Sequence, residues 1–157
     1  MQKTSKNCLY ILLSLFCLAS CKYSDNYFSD FRSIPEEGWI AAEPLSFDTG
    51  ELDSLYIDNS KLLLTIRHDN DYPYRNLWMF VDYISRDGEV KTDTVECKMA
   101  DVYGNWYGDG FGSTYEFVKE LQPKSDMKRL SRLVVWQAMR DDTVPGISDV
   151  GIALAAK

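Results

Sequence analysis

The stretch NLWMFVDYISRDGEVKTDTVEC, Asn76 to Cys97, decides the fold. Its first half places Leu77, Met79, Val81 and Tyr83 on one side of an extended chain and Trp78, Phe80 and Ile84 on the other, the two-sided apolar pattern of a central strand. Asp87-Gly88 then supplies a type I′ turn signal, and VKTDTVEC returns as a β-branched partner. A hairpin is therefore expected here. Strands recur on either side of it. In KLLLTIRH, residues 61–68, Leu62, Leu64 and Ile66 oppose Lys61, Thr65 and Arg67, with Leu63 breaking the alternation. RLVVWQAM, residues 132–139, offers Val134 and Trp136 as inward candidates, and ISDVGIALAA, residues 147–156, offers Val150, Ile152 and Leu154. The only short helix candidate is STYEFVKELQ, residues 113–122. Short strands punctuated by turns predict an all-β chain, a single antiparallel β-sandwich of jelly-roll or Ig-like type.

The N-terminus reads differently. MQKTSKN carries Lys3 and Lys6 without an acid, and the apolar CLYILLSLFCLAS that follows is a signal-peptide layout, too short to span a bilayer. It closes on LASC, Leu18 to Cys21, a bacterial lipobox pattern in which Cys21 becomes the acylated first residue. Residues 1–20 are thus read as a lipoprotein signal peptide, 21–30 as lipidated cysteine and tether, and 31–157 as the folded domain. Several acyl chains on one cysteine hold a protein on a membrane surface. The chain has 17 basic and 24 acidic residues, and loss of the leader's two lysines makes it more acidic still, which argues against a nucleic-acid partner. Of four cysteines, two leave with the leader and Cys21 is acylated, so Cys97 has no disulfide partner and a multi-thiolate metal site is excluded.

Two stretches invite a chemical reading. RHDNDYPYRN, residues 67–76, holds the single histidine, His68, beside Asp69 and Asp71. One histidine and one thiol fall short of a zinc site, the spacing of a calcium loop is absent, and no G-x-S-x-G supplies a nucleophile elbow. Asn and Asp bond their own backbone in turns and Pro73 fixes its own φ, so the stretch reads as a connection, with His68 and Asp71 structural. YGNWYGDGFGSTY, residues 103–115, alternates glycines with rings. Its GDGFG lacks the lysine and the following helix of a phosphate loop. Its rings either cap the core or face a partner; Trp106 is expected to be largely buried, with Tyr107 or Phe111 exposed to a partner. No catalytic residue, metal ligand or cofactor site is assigned.

HDNDYPYRNLWMFVDY (68–83), DTVECKMADVYGNWYGDGFGSTYE (93–116) and VVWQAMRDDTVPGISDVGI (134–152), with the lipobox and IPEEGW (34–39), resemble in order and spacing the gliding-motility lipoprotein GldH family of Bacteroidetes. The resemblance implies an outer-membrane-associated lipoprotein without enzymatic activity, linked to the gliding and type 9 secretion machinery, with Cys21 as acylation site and envelope lipoproteins or motility and secretion proteins as partners. The rival reading is a carbohydrate-binding envelope lipoprotein, its glycan held on the exposed rings.

Overall fold

The structure is a computed structural model, and residues 26–49, 60–123 and 126–157 are described. Eleven strands follow one another: β1 (Asn26–Ser33), β2 (Trp39–Ile40), β3 (Leu45–Asp48), β4 (Ser60–His68), β5 (Asn76–Ser85), β6 (Val90–Lys98), β7 (Asp109–Phe111), β8 (Thr114–Leu121), β9 (Leu130–Gln137), β10 (Thr143–Val144) and β11 (Ile147–Ala156). One sheet runs β1-β11-β4-β8-β7 and the other β3-β9-β5-β6, with β2 and β10 as a separate short pair. The long strands pair in a nested series, β5 with β6, β4 with β8, β3 with β9 and β1 with β11, all antiparallel. A two-stranded ribbon has in effect been wrapped into two sheets, which is the jelly-roll form of the expected sandwich.

The core lies between the sheets. Leu62, Leu64 and Ile66 of β4 and Val150, Ile152 and Leu154 of β11 are buried, as their alternation predicts, and face Leu77, Met79, Val81 and Tyr83 of β5. Trp39 plugs one end, its indole Nε1 donating to the Glu43 carbonyl at 3.1 Å. Cys97 is fully buried, and burial pushes its thiol up to about 12, so it packs as a neutral side chain.

Four expectations need correction. Val134 and Trp136 are not the inward residues of β9; Leu133 and Val135 are fully buried instead. Both parities of RLVVWQ are apolar, so alternation is silent, and the polar indole N–H decides: Trp136 Nε1 donates to Asp82 at 3.0 Å on the outer face. STYEFVKELQ forms β8 rather than a helix, because Leu62 to His68 of β4 pair with it residue for residue. The segment read as a tether to residue 30 is strand from Asn26 onward. A register shift between Asn26 and Phe28 breaks its alternation, while Arg32 ties it across the sandwich by donating to Ser46 O at 3.1 Å. Finally, the β5–β6 turn is not type I′, since no non-glycine residue has positive φ. Gly88 N donates to Ser85 O and Ser85 N to Glu89 O, both at 2.9 Å, with Gly88 at φ 85°. That is the three-residue loop with a left-handed glycine.

Candidate interaction surface

At the His68 end of β4 the connections 69–75, 99–108 and 138–146 come together. His68 is fully buried, 4.5 Å from the Trp106 ring in an edge-on contact, 5.5 Å from Tyr115 in a stacked one and 5.9 Å from Tyr72. Its Nδ1 lies 3.1 Å from the Asp69 carbonyl. A carbonyl only accepts, so Nδ1 carries the proton and Nε2 is left as a bare lone pair, without a partner among the described residues. Burial holds the imidazole below its ordinary 6.5, with the Asp69 carbonyl and carboxylate opposing the shift. A neutral, sealed imidazole of this kind is a packing group, as its sequence context suggests. The carboxylate that ties the turn is Asp69, not Asp71: Asp69 Oδ1 accepts from Asp71 N at 2.8 Å, whereas the Asp71 side chain is exposed.

The glycine-aromatic stretch divides. Trp106 is half-buried, packs on the core and donates from Nε1 to Asn70 Oδ1 at 3.1 Å. Tyr107 is 48% exposed. Phe111 ends β7, and its ring lies outside the described parts, as does Cys21. Among the described residues the most exposed large apolar side chains are two that sequence reasoning did not single out, Val102 at 74% and Tyr103 at 88%. They sit on a loop closed by Asp101, whose Oδ1 accepts from Tyr103 N at 2.8 Å and Asn105 N at 2.9 Å while Oδ2 accepts from Asn105 Nδ2 at 2.8 Å. The Asn105 side chain and these amides hold the Asp101 carboxyl below the usual range. The signal was present as an aspartate four residues before an asparagine with Gly104 between, an arrangement suited to a self-bonded turn. The loop therefore offers a rigid Tyr-Val tip at little ordering cost.

One open groove adjoins it, and a second meets the first at Tyr74 and Asn76. One of about 690 Å³ is lined in part by Tyr74, Asn76, Glu96, Lys98 and Tyr107, and one of about 350 Å³ by Tyr74, Asn76, Trp78, Met139 and Asp141. Tyr74 donates its hydroxyl to Asp141, and Asn76 Nδ2 donates to Glu96 Oε1 at 2.9 Å. The Asp141 hydrogen bond raises the Tyr74 phenol above its ordinary 10, keeping it a donor. Among the described residues no group of three or more His, Cys, Asp or Glu side chains is placed to hold a metal.

Residues 26–154 match the model of the GldH lipoprotein family. The chain belongs to that family. It is 31% identical to the gliding motility lipoprotein GldH of Flavobacterium johnsoniae, over 97% of this chain and 98% of that one. It is 29% identical to the gliding motility lipoprotein GldH homolog of Christiangramia forsetii, over 91% of each. Among solved structures it is similar, at a TM-score of 0.37 and 15% identity over 87% of this chain and 27% of that one, to AlgX of Pseudomonas aeruginosa. The VP2 subviral particle protein of infectious bursal disease virus gives 0.32 and 12% identity over 87% of this chain and 34% of that one.

A melting comparison tests the division of the aromatic stretch. Trp106→Ala opens the ring box and is expected to cost about 2 to 4 kcal/mol, whereas Tyr103→Ala stays within about 0.5 kcal/mol. Equal losses in denaturant melts would mean that the loop tip is part of the core.

Proposed function

We propose that the protein is a motility-associated lipoprotein, anchored through acyl chains on Cys21 to the outer membrane and facing the periplasm, where it serves without catalysis as an accessory or assembly component of the gliding and type 9 secretion machinery. Family membership supports the lipoprotein and motility parts of this reading. The observation that carries an assembly role is the preformed Val102-Tyr103 tip, exposed tyrosine on a self-bonded loop being the surface of a contact residue rather than of a reaction site.

Crosslinking and affinity purification from the native envelope tests the assembly role. The intact chain is expected to retain envelope lipoproteins or secretion components, and Tyr103→Ala to lose them while melting at the same temperature. Retention of the same set by Tyr103→Ala places the contact elsewhere. Anchorage is tested separately. Cys21→Ala is expected to abolish lipid labelling and to shift the chain from the membrane pellet to the soluble fraction; persistence in the pellet after a high-salt wash counts against the acyl anchor.

A further inference from the structure

We infer that the outer face of the β3-β9-β5-β6 sheet, from Tyr74 to Phe80, is a binding site for a neutral oligosaccharide. Within the sheet β5 is flanked by β6 and β9, so its even-numbered residues point away from the core into solvent. Trp78 is 39% and Phe80 44% exposed there, large rings that the core does not need. Their positions two apart on one strand put them about 7 Å from each other, so that both rings can lie under one short oligosaccharide. Trp136 stands opposite Phe80 on β9 and is fixed by its bond to Asp82, so the platform holds three rings, two of them side by side at the Phe80 end.

What distinguishes this face from a bare apolar patch is its polar edging. Register places Lys98 opposite Asn76 and Glu96 opposite Trp78 on β6. The grooves on either side of Tyr74 and Asn76 bring three cations, Arg75, Lys98 and Arg140, together with three carboxylates, Glu96, Asp101 and Asp141. The balance of charge disfavours both a polyanion and a polycation. Asp141 is held by the Tyr74 hydroxyl and Glu96 by the Asn76 amide, so acceptors with free lone pairs are set in place before any ligand arrives. Flat rings interleaved with fixed acceptors and amide donors suit a sugar, whose C–H face stacks while its rim hydroxyls both donate and accept. An extended peptide gains less here. The main chain of β5 is committed to β6 and β9, so a peptide could form a ladder only at the β6 edge and not across this face. The larger groove borders the Val102-Tyr103 tip through Asp101 and Val102, but Tyr103 lines neither groove and Trp78 and Phe80 lie on β5, so the site stands without the assembly role.

The test uses the full chain in detergent micelles on an array of neutral gluco-, galacto- and manno-oligosaccharides beside uronate-rich and sulfated ones, followed by calorimetric titration with the best ligand. Neutral oligosaccharides are expected to be retained in preference to anionic ones. Trp78→Ala is expected to weaken binding about tenfold or more, with an unchanged melting temperature and an unchanged set of proteins crosslinked through Tyr103. Three results would each overturn the site: no neutral oligosaccharide retained, anionic glycans preferred, or wild type and Trp78→Ala binding alike. A photo-crosslinker at position 80 that captures a polypeptide in the native envelope would reassign the face to a protein.

Discussion

Gly146→Ala is expected to be among the most damaging single-methyl changes in this chain, with a loss of about 3 to 5 kcal/mol and a melting temperature lower by about 10 °C or more. Gly146 sits at φ 76°, where side chains other than glycine's are strained. A Cβ there would also run into main chain, against Tyr72 N and within 2.6 Å of Tyr72 Cα and 2.7 Å of the Asp71 carbonyl carbon. Main chain cannot swing aside as a side-chain tip does. The Gly146 carbonyl meanwhile accepts from Asp69 N at 2.9 Å, so the two loops are tied at the same point. Moving 71–72 disturbs Tyr72, whose hydroxyl donates to Asn76 O at 2.7 Å at the start of β5. Gly88→Ala is the internal control, having φ 85° but nothing within 4 Å of the added methyl. It should cost only the backbone term, about 1 to 2 kcal/mol. If denaturant melts give the two variants equal losses, the close approach of the two loops is not part of the folded state.

The comparison of these glycines shows what a sequence can carry. In β4 and β11 the facing residues were legible, because the large aliphatic side chains fall on one parity while the other carries mostly polar residues in β4 and small ones in β11. Where both parities are apolar, in β9, the deciding facts were non-local: an acceptor for the Trp136 indole on β5, and β5 itself lying between two neighbours. The bulged β1 lost its alternation to an extra residue, and in β8 the strand formers Thr114, Tyr115, Phe117 and Val118 act together with residue-for-residue pairing to β4. At the interaction surface, the turn residues around His68 indicated a connection, but its full burial under three rings depends on loops distant in sequence. The self-bonded turn around Tyr103 is signalled by Asp101, Gly104 and Asn105, but which ring it turns out is not; the Asp101 bonds turn Tyr103 out and leave Trp106 against His68.

His68 gives the second large effect, and it is measurable by pH. Truncation to alanine removes a fully buried ring that packs on Trp106, Tyr115 and Tyr72, and is expected to cost about 2 to 4 kcal/mol. The pH dependence is more specific. Desolvation depresses the folded pKa below the ordinary 6.5, so the unfolded chain takes up a proton first as pH falls. Stability is therefore full above about 6.5 and declines, by up to about 1.4 kcal/mol for each pH unit, until the depressed folded value is reached, below which the loss levels off. No other histidine exists in the chain to blur that window. The carboxyls of Asp87 and Asp101, lowered chiefly by hydrogen bonds from Ser85 and Asn105, act separately, their contributions persisting above their ordinary 3.8 and fading only in more acid solution. Urea melts from pH 7.5 to 5 should then show a falling midpoint in the wild type and a nearly flat one in His68→Leu, which fills the box without a titrating group. A wild-type midpoint that does not change across this range would mean that the imidazole reaches solvent. An equal slope in His68→Leu would assign the decline to another group. Leucine also removes a buried nitrogen that has no partner among the described residues, whereas alanine leaves a cavity. His68→Leu should accordingly lose less at pH 7.5 than His68→Ala does, and at pH 5 should approach or exceed the wild type.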